Sequence, residues 1–216
     1  MGDSTQLSDL PVHAFLERLG SSDPVPGGGS AAALAAAMGA ALVAMVAELT
    51  IGRAAYAEHE ETLRHLRFDA LDRRAELMSL AQEDATAYDV VIRARHMPKD
   101  ADAEREARTG ALHGAMKEAA RIPLRTAVVA SEVLDLAERI APIGNRNAAS
   151  DAGVAAQLAA AGLRGALLNV RINLPYLADD EPLLQSAPAE IARLEALARS
   201  GEQAALAAVD KQLVPK

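Results

Sequence analysis

The stretch PVPGGGSAAALAAAMGAALVAMVAELTIGR, residues 24–53, constrains the fold more than any other part of the chain. Two prolines and three consecutive glycines run into eighteen residues, 30–47, that carry no charge. Three structures suit such a sequence: a phosphate loop, a membrane span, or a buried helix with a functional N-terminus. A P-loop would end in Lys-Ser/Thr after a strand, and a dinucleotide fingerprint would read GxGxxG. Neither pattern occurs here. A span needs ~20 strongly apolar residues, usually between aromatic belts. Residues 30–47 are mostly Ala, Gly and Ser, flanked by PGGG, Glu48 and Arg53. The stretch reads as a buried helix, and no membrane partner is expected. Ala36, Gly39 and Ala40 would let another helix approach closely.

The rest of the chain supports a core of helix packed on helix. Half of the residues are hydrophobic, yet there are two Phe, three Tyr and no Trp. Ala supplies much of the apolar count and is the best helix former. No run of β-branched alternation marks a strand. Apolar spacing and breakers predict helices over 9–19, 30–51, 57–96, 102–139, 149–174 and 186–212, with Ser8 capping the first. Pro123 is expected to kink or divide the fourth helix, because proline lacks the donor its turn requires. Without a repeat, a second composition regime or a long linker, residues 1–216 are expected to form a single all-α domain. Its architecture would be an up-and-down bundle of about five to six long helices, forming a homodimer through small-residue faces.

Charge and residue types narrow the function. The net charge of −8 argues against nucleic-acid binding, which needs clustered Lys and Arg. The absence of Cys excludes disulfides, thiol nucleophiles and Cys-ligated metals. His13, His59, His65, His96 and His113 lack ligand spacing, so no metal is expected. The start MGDSTQLSDL shows no signal peptide, which fits a cytoplasmic protein.

Three groups of residues remain as candidates for chemistry. Gly27, Gly28 and Gly29 place bare backbone N–H groups at a helix start, where the dipole favours anions; equally, they would let the loop fold against a neighbouring helix. Asp84 falls on the apolar seam Leu63, Leu66, Ala70, Leu77, Ala81, Tyr88 and Val91. A carboxylate there is paired structurally, or it is an acid or base facing a cavity. In the fifth helix, Asn169 and Asn173 lie one turn apart on an Ala- and Gly-rich face and suit a polar ligand. Asp151 shares that face but lies ~27 Å from Asn169. Asn147, Ser150 and Asp151 belong at the helix start, where capping would explain them.

Four blocks, PVPGGGSAAALAAAMGAALVAMVAELTIGR, EDATAY (83–88), GNRNAASDAGVAA and NVRINL, resemble in order and spacing the cyclodeaminase/cyclohydrolase family of folate enzymes. The resemblance covers residues 10–180; Arg53 stands where Lys would be expected in many relatives. It implies a dimeric all-α fold without metal or cofactor, acting on the one-carbon unit between N5 and N10 of tetrahydrofolate. Hydrolysis of 5,10-methenyltetrahydrofolate to 10-formyltetrahydrofolate is the first expectation. Ammonia release from 5-formiminotetrahydrofolate is the second, and a non-catalytic folate-binding module the third. Asp84 would then be the catalytic carboxylate beside the cationic amidinium. Substrate contacts are expected from Gly27, Gly28, Gly29, Ser30, Arg53, Tyr56, Asn145, Asn147, Asp151, Asn169 and Asn173. The glycine loop, helped by Arg53 or Arg146, would receive the anionic glutamate tail.

Overall fold

Helix α2, Gly28–Glu48, is the bundle's central element, and its small side chains are the reason. The computed structural model describes residues 6–213. The other helices are α1, Val12–Leu19, α3, Glu60–Arg95, α4, Asp102–Ile140, α5, Ala149–Asn173, and α6, Pro182–Leu213; α3, α4 and α5 pack on α2, and α6 packs on α4 and α5. No strand occurs among the described residues. Twelve residues of α2, nine of them Ala or Gly, are buried. Although α2 is long and apolar enough to cross a membrane, as is the segment Arg146–Tyr176, most of each apolar window is buried within the bundle.

Helix α5 runs antiparallel to α2 and packs on it with almost no side chain between the backbones. A Cβ added at Gly39 would lie 2.8 Å from the Ala155 carbonyl oxygen; one added at Gly162 would lie 2.6 Å from that of Ala32. Larger side chains fill the remaining core, including Leu63, Leu66 and Leu77 of α3, Leu163 and Leu167 of α5 and Leu194 of α6. Fully burying each contributes about 1.5–3 kcal/mol. A second small cluster, Val91, Ala94, Ala115, Met116, Ala120 and Leu177, closes the far end of α3 and α4.

Several boundaries differ from the sequence reading. Pro11 precedes α1 at its N-cap, and the Ser8 hydroxyl donates to Asp9 instead of capping the helix. Residues 54–59 form a 3-10 turn before α3. Helix α6 begins at Pro182 rather than Ser186, because proline suits a first helical position. Pro123 does not divide α4, which is continuous from Asp102 to Ile140. The Val25–Pro26 peptide bond is cis.

Candidate active site

A cavity of about 350 Å³ opens where the N-terminus of α2 meets α3, α4 and the C-terminal end of α5. It brings together Gly27, Gly28, Gly29, Asp84, Asn169 and Asn173, which are spread over 147 positions of sequence. Antiparallel packing of α2 on α5 does this: the start of one helix must lie beside the end of the other. Asp84 reaches the same place from the middle of α3.

Asp84 is half-buried, and no cation pairs with it among the described residues. Burial pushes its carboxyl above the ordinary 3.8, while hydrogen bonds from the Ser30 hydroxyl and backbone N–H act in the opposite direction. The Ser30 hydroxyl is fully buried, 2.9 Å from the Ala81 carbonyl oxygen and 3.1 Å from Asp84 Oδ2. One hydroxyl proton therefore has two acceptors. When Asp84 is ionised, Ser30 donates to it; when Asp84 is protonated, Ser30 can donate to Ala81 and accept from Asp84. Both protonation states are accommodated without rearrangement. A side chain at position 29 would collide with the Asp84 carboxylate, so only glycine permits this approach.

The two amides present acceptors to the cavity. Asn169 donates Nδ2 to the Gly165 carbonyl at 2.9 Å, and Asn173 donates Nδ2 to the Ala119 carbonyl at 2.7 Å. Ala119 precedes Pro123 by four residues, so its carbonyl lacks the usual intrahelical N–H. Pro123 thus frees the backbone oxygen that orients Asn173. Both side-chain carbonyl oxygens are left for a ligand's N–H groups. The walls between are apolar, from Val91, Met116, Ile122 and Ile172. Tyr88 and Tyr176, two of only three tyrosines in the chain, complete the lining with Arg95. The sequence reading assigned no ligand role to Tyr88 or Arg95, although i, i+4 and i+11 spacing from Asp84 places both on its helix face.

The remaining predicted contacts lie at the opposite end of α2, about 30 Å away for a 21-residue helix. Asn145 is buried there. Its backbone N–H donates to Thr50 Oγ1 at 2.8 Å, Nδ2 donates to the Leu49 carbonyl at 3.1 Å, and Oδ1 accepts from the Asn147 N–H at 3.0 Å. Both ends of its amide are thus engaged within the protein. Tyr56 accepts from the Arg146 N–H at 3.1 Å, and the Arg146 guanidinium donates to the Gln212 carbonyl. Arg53, Asn147 and Asp151 do not line the cavity either. Nor does Ser150 cap α5; Asn145 caps the short 3-10 turn before it. Gly27–Gly29, Asp84, Asn169 and Asn173 are joined by the fold, whereas Arg53, Tyr56, Asn145, Asn147 and Asp151 lie at the other end of α2.

A family model described as formiminotransferase-cyclodeaminase matches residues 11–193. The chain is 46% identical over 168 residues to the methenyltetrahydrofolate cyclohydrolase of Methylorubrum extorquens, covering 78% of this chain and 81% of that protein. It is 37% identical over 179 residues to the formimidoyltransferase-cyclodeaminase of Rattus norvegicus, covering 83% of this chain and only 33% of that longer protein. The crystal structure of formiminotetrahydrofolate cyclodeaminase from Thermotoga maritima matches it with a TM-score of 0.84 at 28% identity, over 95% of this chain and 98% of that one. The chain belongs to the formiminotransferase-cyclodeaminase family.

Proposed function

We propose that this protein is a methenyltetrahydrofolate cyclohydrolase. The observation that carries the reading is Asp84: a partly desolvated carboxylate with no cation beside it among the described residues, lining a cavity of about 350 Å³ and held by a serine that serves both of its protonation states. The 46% identity to a methenyltetrahydrofolate cyclohydrolase supports water, rather than ammonia, as the exchanged group.

The chemistry follows from charge. The methenyl carbon belongs to an amidinium cation, which a neighbouring carboxylate stabilises electrostatically. Water adds to that carbon, forming a C–O bond, as Asp84 takes one of its protons. The tetrahedral adduct then collapses. The C–N5 bond breaks, N5 receives the proton from Asp84, and the adduct's hydroxyl proton passes to solvent as the formyl C=O forms. Cation and water become neutral 10-formyltetrahydrofolate and one released proton, so atoms and charge balance. Asn169 and Asn173 accept from the pterin's N–H groups, and the apolar walls take its ring. No metal or cofactor enters this scheme. The protein is further proposed to act in the cytoplasm as one helical domain and to pair through α2 and α5, which leave Met38, Met45, Val154 and Leu168 exposed.

Likeness to the solved cyclodeaminase favours a second reading, release of ammonia from 5-formiminotetrahydrofolate. One assay separates the two. Purified protein should accelerate loss of the near-ultraviolet band of methenyltetrahydrofolate; appearance of that band from formiminotetrahydrofolate alone would establish the second reading instead. Binding without either reaction would identify a folate-binding module. Asp84→Asn preserves shape and removes charge, and should lower kcat by about 10²–10⁴-fold, the usual contribution of a general base. Unchanged turnover would remove Asp84 from the mechanism.

A further inference from the structure

We propose that Arg95 and Arg108 form the subsite for the substrate's anionic glutamate tail, a role that rests on the folate reading above. The reaction cavity does not end at Arg95. It continues into a second cavity of about 410 Å³ between α3 and α4, sharing Arg95, Met116 and Tyr176 with the first. Arg95 follows Asp84 by eleven residues on α3, three turns and ~16 Å along one helix face. A p-aminobenzoyl group and its first glutamates span a comparable stretch. Tyr88 and Tyr176 line the passage, where an aromatic ring would pass between pterin and tail.

The outer cavity has the electrostatics such a tail requires. Its lining contains Arg95, Arg108 and His113 but no Asp or Glu, in a chain with 30 acidic residues and a net charge of −8. Arg108 Nε donates to the Arg95 carbonyl at 3.3 Å, which anchors one guanidinium beside the other residue's backbone. Neither arginine pairs with a carboxylate among the described residues. By contrast, nearby Lys117 is paired with Glu181 at 3.2 Å. Each γ-linked glutamate adds one α-carboxylate, which a guanidinium fork can bind through two parallel hydrogen bonds. Arg53 and Arg146, expected from sequence to perform this task, lie beyond the other end of α2.

Steady-state kinetics on 5,10-methenyltetrahydrofolate bearing one or five glutamates tests the subsite. The pentaglutamate should show a KM about tenfold below the monoglutamate, and the ratio should shrink as added salt shortens the screening length. The double variant Arg95→Gln/Arg108→Gln should bring the ratio close to one, chiefly by raising the pentaglutamate KM. Arg74→Gln, an exposed arginine that lines neither cavity, should keep the wild-type ratio. Equal KM values in the wild type, or a ratio preserved in the double variant, would overturn the assignment. Equilibrium binding of pteroylmonoglutamate and pteroylpentaglutamate reads the same ratio without turnover. A tail-dependent affinity lost in the double variant upholds the subsite even if the hydrolytic reading fails; binding of neither compound overturns both.

Discussion

Asp84 owes its raised carboxyl to burial, with little charge beside it among the described residues. The charged groups lining the reaction cavity are Asp84 itself and Arg95, three turns away. Burial therefore dominates, and the carboxyl sits above its ordinary 3.8. The acidic limb of kcat/KM against pH should accordingly lie above the usual carboxylate range, with activity falling as pH drops through that raised value. Ser30 works against burial, so Ser30→Ala should move the limb further upward and lower kcat; a pH–rate profile of both proteins measures this. A limb that moves down in Ser30→Ala would contradict the hydrogen-bonding scheme. The same shift has a consequence for stability. A carboxyl with a folded value above its unfolded one binds its proton more tightly when folded, so stability is lost as pH rises from the unfolded value through the folded one. Above that window the ionised group is a continuing cost. Asp84→Asn should therefore raise Tm at neutral pH while removing activity, as thermal denaturation would show.

The α2–α5 pair depends on missing side chains. Gly162 meets the Ala32 carbonyl and the Ala36 N–H across the interface, where a methyl group has no room and the neighbour is backbone that cannot rotate away. Gly162→Ala should destabilise the protein by about 1–3 kcal/mol, the usual cost of overpacking. Gly110 and Gly114 make the internal control. Both lie within α4 with open space where a Cβ would stand. Alanine at either should stabilise by about 0.5–1 kcal/mol through helix propensity. Chemical denaturation of the three variants checks the opposite signs. Pro123 illustrates another kind of element-level effect: it leaves the Ala119 carbonyl to Asn173, turning a local defect of α4 into an anchor for a residue of α5.

At the scale of the molecule, four helices are needed to enclose one small cavity. Its glycine edge comes from α2, its carboxylate from α3, its amides from α5 and its apolar wall from α3, α4 and α5 together. Alongside it, the α2–α5 pair exposes Met38, Met45, Val154 and, on the final turns of α5, Leu168 and Ile172. Large apolar side chains exposed on two adjoining helices favour association with a second copy. Sedimentation should show a two-chain species, and Leu168→Glu, outside the cavity lining, should shift it toward one chain. A wild-type protein that sediments as one chain would reject this pairing.

Much of the helical architecture was legible because its signals are local. Apolar steps of three and four residues fix where α2 to α5 lie within a few positions, whereas the ends at Ser8 and Ser186 moved because proline and neighbouring segments decide where a helix begins. Asp84, Asn169 and Asn173 were readable as polar groups on apolar faces, a placement that costs energy wherever it occurs. The sequence could not show which of those groups meet. Gly28 and Arg53 are near neighbours along the chain, yet a rigid α2 holds them about 30 Å apart, since each helical residue adds ~1.5 Å. Gly28 and Asn169 are 141 positions apart, and a side chain at 28 would come within 3.6 Å of the amide. Periodicity determined the elements and their buried faces. Only the antiparallel docking of α5 on α2 decided which helix ends become a site, because that contact depends on backbone approach across distant residues.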